Sequence, residues 1–356
     1  MICIAAFIIL AVAVLAVPII RLFNRKLAAG IMQAFKRSVY CFTRHVTLRA
    51  CDSTFKDDVK GALLRKVVLK HPDWVKPLSG LIEASSVLII VVTVWSLLVG
   101  TRSLVALYVY GTCDIEQPSA CSLAKAEACS IDSKPISIWQ HPLKWTGKWF
   151  GDFGEAIAAI PDRMKHWNPQ EYVLQPTPYY NKFDSKKPLA LDIFDPGCIV
   201  CKKSFQRQLA TGFFDKYNVT LLPYAIEGEH GTKFANSGTV VKYMLATVQQ
   251  PLNSGRPVIW QMAQQMYTKK DKDGIDYQTA FNFGYSTEQA EQTLQSWLKE
   301  FGYNDEQVQQ IVKFVHSDAA NKAVEHIAQT IKTKIKTKKI PTMIFDGQRH
   351  DGEYKQ

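Results

Sequence analysis

Two long apolar runs lie near one end of the chain and dominate its pattern of hydrophobic and polar positions. The first covers residues 1–23, and the second starts near Leu81 and reaches Tyr110 if the side chain of Arg102 snorkels or faces protein. Each run is long enough to cross a bilayer as an α-helix. We therefore predict transmembrane helices over residues 1–23 and 81–110, with a buried core helix as the less favoured interpretation.

Residues 181–356 show a different pattern, in which short apolar strands alternate with helices. Residues 189–194 (LALDIF) and 219–226 (VTLLPYAI) predict strands, and residues 198–214 predict a helix between them. Residues 342–350 predict a terminal hairpin with a turn at its Asp-Gly pair. This mixture indicates an α/β domain.

Three amphipathic helices are predicted between these strands. Apolar residues recur with helical spacing over residues 294–301, 308–315 and 323–331. Asn304 and Gln307 have the spacing of a capping box, which places the start of the second of these helices.

Residues 111–180 form a cysteine- and tryptophan-rich linker between the second apolar run and the α/β domain. The stretch WTGKWFGDFGEAIAAI, residues 145–160, has the character of an amphipathic helix. Such a helix can lie on a membrane surface or pack against the following domain. The sequence alone leaves both interpretations open.

Positive charge is concentrated in one short segment. The chain has 43 Lys and Arg against 32 Asp and Glu, a formal charge of +11, and residues 21–76 alone hold thirteen against four. A diffusely basic nucleic-acid-binding protein is therefore disfavoured. Basic residues directly after the first apolar run instead predict a cytoplasmic segment over residues 24–80, with the N-terminus and the chain from residue 111 outside. A cleaved signal peptide is the alternative for the first run, and it would reverse the sides.

Cysteines occur on both sides of the second apolar run. Cys41 and Cys51 do not complete a zinc set and are expected to be reduced thiols on the cytoplasmic side. Cys113, Cys121 and Cys129 lie outside, where we predict a structural or relay disulfide among them. Which pair forms stays open, and the third thiol could pair elsewhere, stay free or act as a redox partner.

The strongest chemical signal is the sequence Cys198-Ile199-Val200-Cys201, which starts the predicted helix directly after a strand. Unpaired backbone N–H groups and the helix dipole stabilise a thiolate on the first sulfur at that position. The second cysteine is one turn further on, close enough for a readily exchanged disulfide. Half of a zinc site would have the same spacing, but no second pair of ligands follows, so we predict no metal site.

Two further features fit thiol chemistry. Asp192 lies on the strand that leads to the Cys-x-x-Cys pair, where a carboxyl group could move the proton of the second thiol during exchange. Pro341 opens a late strand in the sequence Ile340-Pro341-Thr342. A proline there can be cis and exposes the preceding backbone to an extended peptide. Taken alone, Asp192 could equally be an ordinary surface residue, and Pro341 could be an ordinary proline of an edge strand. The five lysines from residue 332 to residue 339 are expected to form a solvated face, with stabilisation of a nearby thiolate or acidic substrate as the alternative.

Taken in order, these motifs resemble the DsbA-like thiol–disulfide oxidoreductases of the thioredoxin fold. The shared order is an acid-bearing strand, the Cys-x-x-Cys helix, a second strand, a helical insertion, an Ile-Pro-Thr loop and an FDGxRHDG hairpin. The resemblance implies a thioredoxin fold over residues 181–356, with the insertion at about 227–336, preceded by the two transmembrane helices. It also implies that Cys198 is the attacked or attacking sulfur, that Cys201 resolves, and that a cis Ile340–Pro341–Thr342 loop binds substrate.

Three features depart from that family. The dipeptide Ile199-Val200 is neither the Pro-His of strong oxidases nor the Gly-Pro of thioredoxins, so the redox potential and direction are not inherited. The insertion is long, and the chain ends at Gln356 where a final helix would normally cover the sheet. We expect that the tryptophan-rich segment over residues 136–180, or a partner, covers it.

The resemblance implies a membrane-anchored enzyme that exchanges disulfides with exported, cysteine-containing proteins, as an oxidase or isomerase. It would stand outside the cytoplasmic (inner) membrane of a bacterium, in contact with the lipid bilayer. A membrane redox partner would reset it, with no cofactor, metal or nucleic acid. The alternative is a non-catalytic thioredoxin-fold subunit that helps to assemble a complex of the cell envelope.

Overall fold

A computed structural model of the protein describes residues 2–47, 58–61, 64–65, 72–115, 128–131, 137–228, 231–252 and 255–354. The described chain forms two compact units, Met1–Thr101 and Arg102–Gln356.

The first apolar run forms two helices rather than one. Helix α1 covers Ile2–Leu15 and α2 covers Val17–Phe23, with a bend of 64° at the break between them. Pro18 lies in the first turn of α2, where a helix accepts proline without losing a hydrogen bond. The predicted helix over residues 1–23 is therefore interrupted, and its passage through a membrane stays a prediction.

Helix α3, Arg25–Val46, follows at once and packs against α1 and α2. The ring of Phe7 on α1 stacks on those of Phe35 and Phe42 on α3, with centroids 5.9 and 4.4 Å apart. The segment predicted as merely basic thus contains an amphipathic helix that covers part of the first apolar run.

Cys41, on α3, is buried and takes part in a disulfide. This contradicts the expectation of a reduced thiol at Cys41, while Cys51 lies outside the described residues. The expectation failed because it was derived from the predicted compartment and not from the fold around the thiol. The side of a membrane on which residues 24–80 lie stays a prediction.

Helix α4, Val75–Tyr110, contains the whole second apolar run. It is the one described helix long and apolar enough to cross a membrane, or one of two if the bent α1–α2 pair is a single span. Arg102 faces protein, which is one of the two arrangements that would allow the apolar run to reach Tyr110. Its guanidinium lies 3.7 Å from the Asp152 carboxylate and 5.1 Å from the centroid of the Trp149 ring.

The second unit combines short strands with many helices. In chain order the strands are β1 Cys129–Ser130, β2 Leu189–Phe194, β3 Asn218–Pro223, β4 Glu227–Gly228, β5 Gly231–Thr232, β6 Lys339–Ile340, β7 Thr342–Phe345 and β8 Gln348–Asp351. The helices are α5 Pro142–Ala158, α6 Ile160–Met164, α7 Ile199–Ala210, α8 Phe213–Lys216, α9 Ser237–Gln249, α10 Val258–Thr268, α11 Tyr277–Thr279, α12 Thr287–Phe301, α13 Asp305–Val315 and α14 Asp318–Gln329.

Four of the strands form one sheet in the order β3-β2-β7-β8. Strand β2 is parallel to β3 and antiparallel to β7, and β8 is antiparallel to β7. This order and these directions are those of the thioredoxin fold, which confirms the predicted fold class of the domain. Two smaller pairs join β1 to β6 and β4 to β5.

The predicted strands and helices differ from the observed ones in detail. The strand over residues 189–194 and the terminal hairpin are confirmed. The strand predicted to continue to residue 226 ends at Pro223, because proline has no N–H to donate to a neighbouring strand. The helix predicted over 198–214 is split into α7 and α8 at Gly212, whose φ of +65° is a left-handed conformation that glycine tolerates.

Helices α9 to α14 lie between β5 and β6, in the part of the chain where the insertion was expected, at about residues 227–336. Capping boxes open α12 through Ser286 and Gln289 and α13 through Asn304 and Gln307. The second box was predicted and the first was missed. The insertion and the sheet share one hydrophobic core, so the insertion is part of the domain that holds the active-site candidates.

The tryptophans of the linker pack mainly against protein. Trp149, on α5, is buried near the end of α4. Trp167 is 1% exposed, and its backbone N–H donates to the Gly347 carbonyl in the terminal hairpin at 2.8 Å. For these two residues the packing interpretation holds, whereas Trp139 and Leu143 remain exposed.

Candidate active site

The Cys-x-x-Cys pair lies at the junction of β2 and α7. Strand β2 ends at Phe194, a turn of Asp195, Pro196 and Gly197 follows, and Cys198 is the residue that caps the N-terminus of α7. The Cys198 backbone N–H donates to the Asp195 carbonyl at 3.0 Å. Both sulfur-bearing side chains are buried, at 0% exposure for Cys198 and 2% for Cys201.

A buried carboxylate organises this turn. The side chain of Asp195 accepts hydrogen bonds from the backbone N–H of Gly197 at 2.7 Å and of Ile226 at 2.6 Å, and from the Ser237 hydroxyl. Burial raises the pKa of Asp195 to about 6, although these hydrogen bonds oppose the rise. Asp195 was not among the predicted site residues. An acid directly before Pro-Gly at the end of a buried strand was the available signal.

The helical insertion holds the same turn from the opposite side. The Gln278 side-chain amide donates to the carbonyls of Pro196 at 2.8 Å and Cys198 at 3.1 Å, and the Asn282 amide donates to the Gly197 carbonyl at 2.8 Å. A Cβ on Gly197 would come within 2.4 Å of the Phe234 side chain, so glycine is the residue that fits. No sequence motif marks Gln278 or Asn282, and both were missed.

The proline loop faces the first cysteine. The Ile340–Pro341 peptide bond is cis, and the Cys198 sulfur lies 3.9 Å from the Ile340 carbonyl oxygen. Thr342 lies on the other side of the proline and belongs to β7, where its hydroxyl is 2.8 Å from that of Thr337. Ile340 therefore borders the sulfur, whereas Thr342 supports the loop from within the sheet.

Cys198 is bonded to Cys129 and not to Cys201. The S–S distance between Cys129 and Cys198 is 2.10 Å, and Cys201 is a buried free thiol. Cys129 is therefore the linker cysteine that pairs elsewhere, which was one of the alternatives left open for the third thiol. Cys113 does take part in a disulfide, and Cys121 lies outside the described residues. The sequence alone did not predict this disulfide, because Cys129 and Cys198 are 69 residues apart.

The linker strand that carries Cys129 lies directly beside the proline loop. In the antiparallel pair of β1 and β6, Cys129 is opposite Ile340 and Ser130 is opposite Lys339. The Ile131 N–H continues the ladder by donating to the Lys338 carbonyl at 3.0 Å. An extended segment of the chain thus occupies the surface next to the Cys198 sulfur.

Lys339 differs from the predicted solvated face. Lys332, Lys334 and Lys336 are exposed, but Lys339 is 1% exposed and its ammonium donates to the Gly111 carbonyl, directly after α4, at 3.0 Å. Burial lowers its pKa to about 8. The expectation failed for Lys339 because β6 turns its side chain inwards, which the lysine spacing does not reveal.

Asp192 lies in the interior of the sheet near the second cysteine. One carboxylate oxygen accepts a hydrogen bond from the Gln208 amide at 2.8 Å, and the other is buried with no hydrogen-bond partner among the described residues. Burial raises the pKa of Asp192 to about 6. Burial also raises the pKa of the Cys201 thiol well above its usual value, and the charges of Asp195 and Asp192 add to that rise.

Comparison with protein-family models finds no match, and neither does comparison with curated proteins. Among solved structures, the chain is similar to thiol-disulfide exchange protein alpha-DsbA2 from Wolbachia pipientis, at 13% identity and a TM-score of 0.36, over 52% of this chain and 86% of that one. It is also similar to MdbA, a thiol-disulfide oxidoreductase from Corynebacterium matruchotii, at 16% identity and a TM-score of 0.36, over 52% of this chain and 92% of that one. Pseudomonas aeruginosa DsbA is similar at 14% identity and a TM-score of 0.30, over 49% of this chain and 82% of that one.

These matches are DsbA-like oxidoreductases. The fold of this chain follows from its own strand order.

Proposed function

We propose that the protein exchanges disulfides with exported, cysteine-containing proteins through Cys198 and Cys201. The observation that carries this proposal is the bond of Cys198 to a cysteine on an extended strand beside the cis-proline loop. That arrangement is the geometry expected of a mixed disulfide between an enzyme and a bound peptide. A purely structural disulfide has no need of a second, free cysteine one helical turn away.

In the oxidase direction, the reactive form of the site is a Cys198–Cys201 disulfide. A substrate thiolate attacks the Cys198 sulfur, forms a mixed disulfide and releases the Cys201 thiolate, which takes up a proton. A second substrate thiolate then attacks the substrate sulfur of that bond and releases Cys198 as a thiolate. The substrate leaves with its disulfide and the pair is left reduced. The reverse order gives a reductase, and alternation of both gives an isomerase.

The proposed location is the outer side of a bacterial cytoplasmic membrane. Its support is that Cys113, Cys129 and Cys198, all after α4, are in disulfides, and such bonds persist in oxidising compartments. Helix α4 would provide the anchor and the contact with the lipid bilayer. A membrane redox partner would accept electrons from the reduced pair or supply them to the oxidised one.

Asp192 is the proposed proton acceptor for Cys201. Because its pKa is raised to about 6, the ionised form that can accept a proton accumulates as the pH rises through that value. We expect Asp192→Asn to slow reduction of a disulfide-bonded peptide, the direction in which the Cys201 thiol must lose its proton, by roughly a hundredfold at neutral pH, and to remove the increase in rate around pH 6. Rates measured between about pH 5 and 8 test this. An equal loss at every pH would instead indicate a structural role.

Covalent capture of substrates tests the proposed exchange. In Cys129→Ser/Cys201→Ser, Cys198 has neither of its internal partners, so mixed disulfides with exported proteins should accumulate in the cell envelope. They should appear on non-reducing gels and disappear on reduction. The matched control is Cys129→Ser/Cys198→Ser, which lacks the attacking sulfur and should capture nothing. Equal patterns from the two variants would exclude exchange and leave the assembly-subunit alternative.

A further inference from the structure

The linker strand is held in the site by contacts on several sides. Its backbone pairs with β6, and the Lys233 ammonium donates to the Ser130 carbonyl at 3.1 Å. The Ser130 hydroxyl donates to the Ile115 carbonyl at 3.4 Å, and the Ile131 side chain is buried in the core of the domain. Residues 128–131 are therefore a built part of the described structure.

This strand closes the site to other thiols. The Cys198 side chain has no exposed surface while Cys129 is bonded to it, and β6 has its pairing partner in β1. Pairing through main-chain hydrogen bonds is the mode by which extended peptides of varied sequence bind a strand edge. The linker therefore occupies two features that a substrate would need. It pairs with β6, with which a substrate peptide would pair, and it is bonded to the Cys198 sulfur, which a substrate thiolate would attack.

We infer that Cys129 is a third redox-active cysteine of the site, which acts as a tethered internal substrate and competes with external peptides for Cys198. This inference rests on the proposed exchange function. The site opens when the Cys201 thiolate attacks the Cys198 sulfur of the Cys129–Cys198 bond. A Cys198–Cys201 disulfide forms, Cys129 leaves as a thiolate and takes up a proton, and the number of disulfides is unchanged.

The Cys129–Cys198 disulfide persists because the Cys201 thiol, which would have to attack it, is buried. Burial keeps that thiol protonated, so the attacking thiolate is scarce. Cys129 in turn is covalently part of the chain, and a tethered group has an effective concentration on the order of millimolar. An external thiol at micromolar concentration is therefore at a disadvantage until the linker strand leaves β6.

The test uses the full chain in detergent micelles with a reduced two-cysteine peptide as substrate and oxidised glutathione as terminal oxidant. Mass spectrometry of non-reduced digests should recover the Cys129–Cys198 peptide pair from the wild type. Cys129→Ser should oxidise the micromolar peptide roughly tenfold faster or more, because the tethered competitor is gone. Ser137→Ala, at an exposed serine of the same linker, is the control and should keep the wild-type rate.

The outcomes separate this inference from the proposed function. If Cys198 is found only with Cys201 across a series of glutathione ratios, or if Cys129→Ser oxidises the peptide at the wild-type rate, Cys129 is not a competitor. If Cys129→Ser is no faster than Cys129→Ser/Cys198→Ser, the proposed exchange itself is wrong.

Discussion

Replacing Asp195 with alanine should lower the free energy of unfolding by about 3–5 kcal/mol, because buried donors are left without an acceptor. Its carboxylate accepts from the N–H groups of Gly197 and Ile226 and from the Ser237 hydroxyl. Those groups are buried, so water does not replace the lost acceptor. Urea unfolding of the purified protein, followed by tryptophan fluorescence, measures the change.

Asp195→Asn is the matched control, since its amide oxygen keeps one acceptor, and it should lose less than the alanine variant. It also tests pH dependence. The pKa of Asp195 is raised from 3.8 to about 6, so the folded protein binds this proton more tightly than the unfolded chain. Stability should therefore fall as the pH rises from about 4 to about 6, and Asp195→Asn should flatten part of that fall. Identical unfolding midpoints for wild type and both variants would contradict the assigned role.

Replacing Arg349 with methionine should have the second large effect, a loss of about 3–5 kcal/mol. Arg349 is 1% exposed, and its guanidinium donates to the carbonyls of Ile335 at 2.6 Å and Val109 at 3.2 Å. It also pairs with Asp351 at 3.1 Å, whose side chain is 3% exposed. Methionine fills a similar volume but leaves a buried carboxylate without its cation.

The double variant Arg349→Met/Asp351→Asn separates charge from packing. Removal of both charges should restore part of the loss, because the uncompensated carboxylate is gone. In the single variant, hydrogen exchange should also become faster in the last turn of α4, where Val109 loses its donor. If single and double variants unfold at the same urea concentration and exchange in α4 is unchanged, the Arg349 contacts do not contribute as described.

Features encoded in short stretches of sequence were predictable. The short stretch LALDIF, apolar except for Asp192, predicted strand β2, and the Asp-Gly turn predicted the terminal hairpin. The Asn304–Gln307 spacing identified the start of α13. The Cys-x-x-Cys pair was placed correctly on a helix N-terminus, because its neighbours before and after carry a clear strand and helix pattern.

Features that depend on distant contacts were not predictable. Cys129 lies in a small, polar stretch with two other cysteines nearby, so spacing alone could not direct it to Cys198. Gln278 and Asn282 donate to the turn before Cys198 from more than eighty residues away along the chain. Their role follows from how the insertion packs, and a single sequence contains no periodic signal for that packing. In the sequence, Lys339 is one of several neighbouring lysines. Only its position on β6 shows that its side chain is buried.

The Cys129–Cys198 bond also determines how much of the chain is covalently closed into a ring. It joins residues 69 positions apart, and a loop of that size restricts the unfolded chain by about 4 kcal/mol in the chain-entropy treatment of disulfides. A Cys198–Cys201 bond closes only a few residues and restricts the unfolded chain by roughly half as much. Exchange of the Cys198 disulfide from Cys129 to Cys201 should therefore lower the melting temperature of the domain as well as change its chemistry. The melting temperature thus indicates whether Cys198 is bonded to Cys129 or to Cys201.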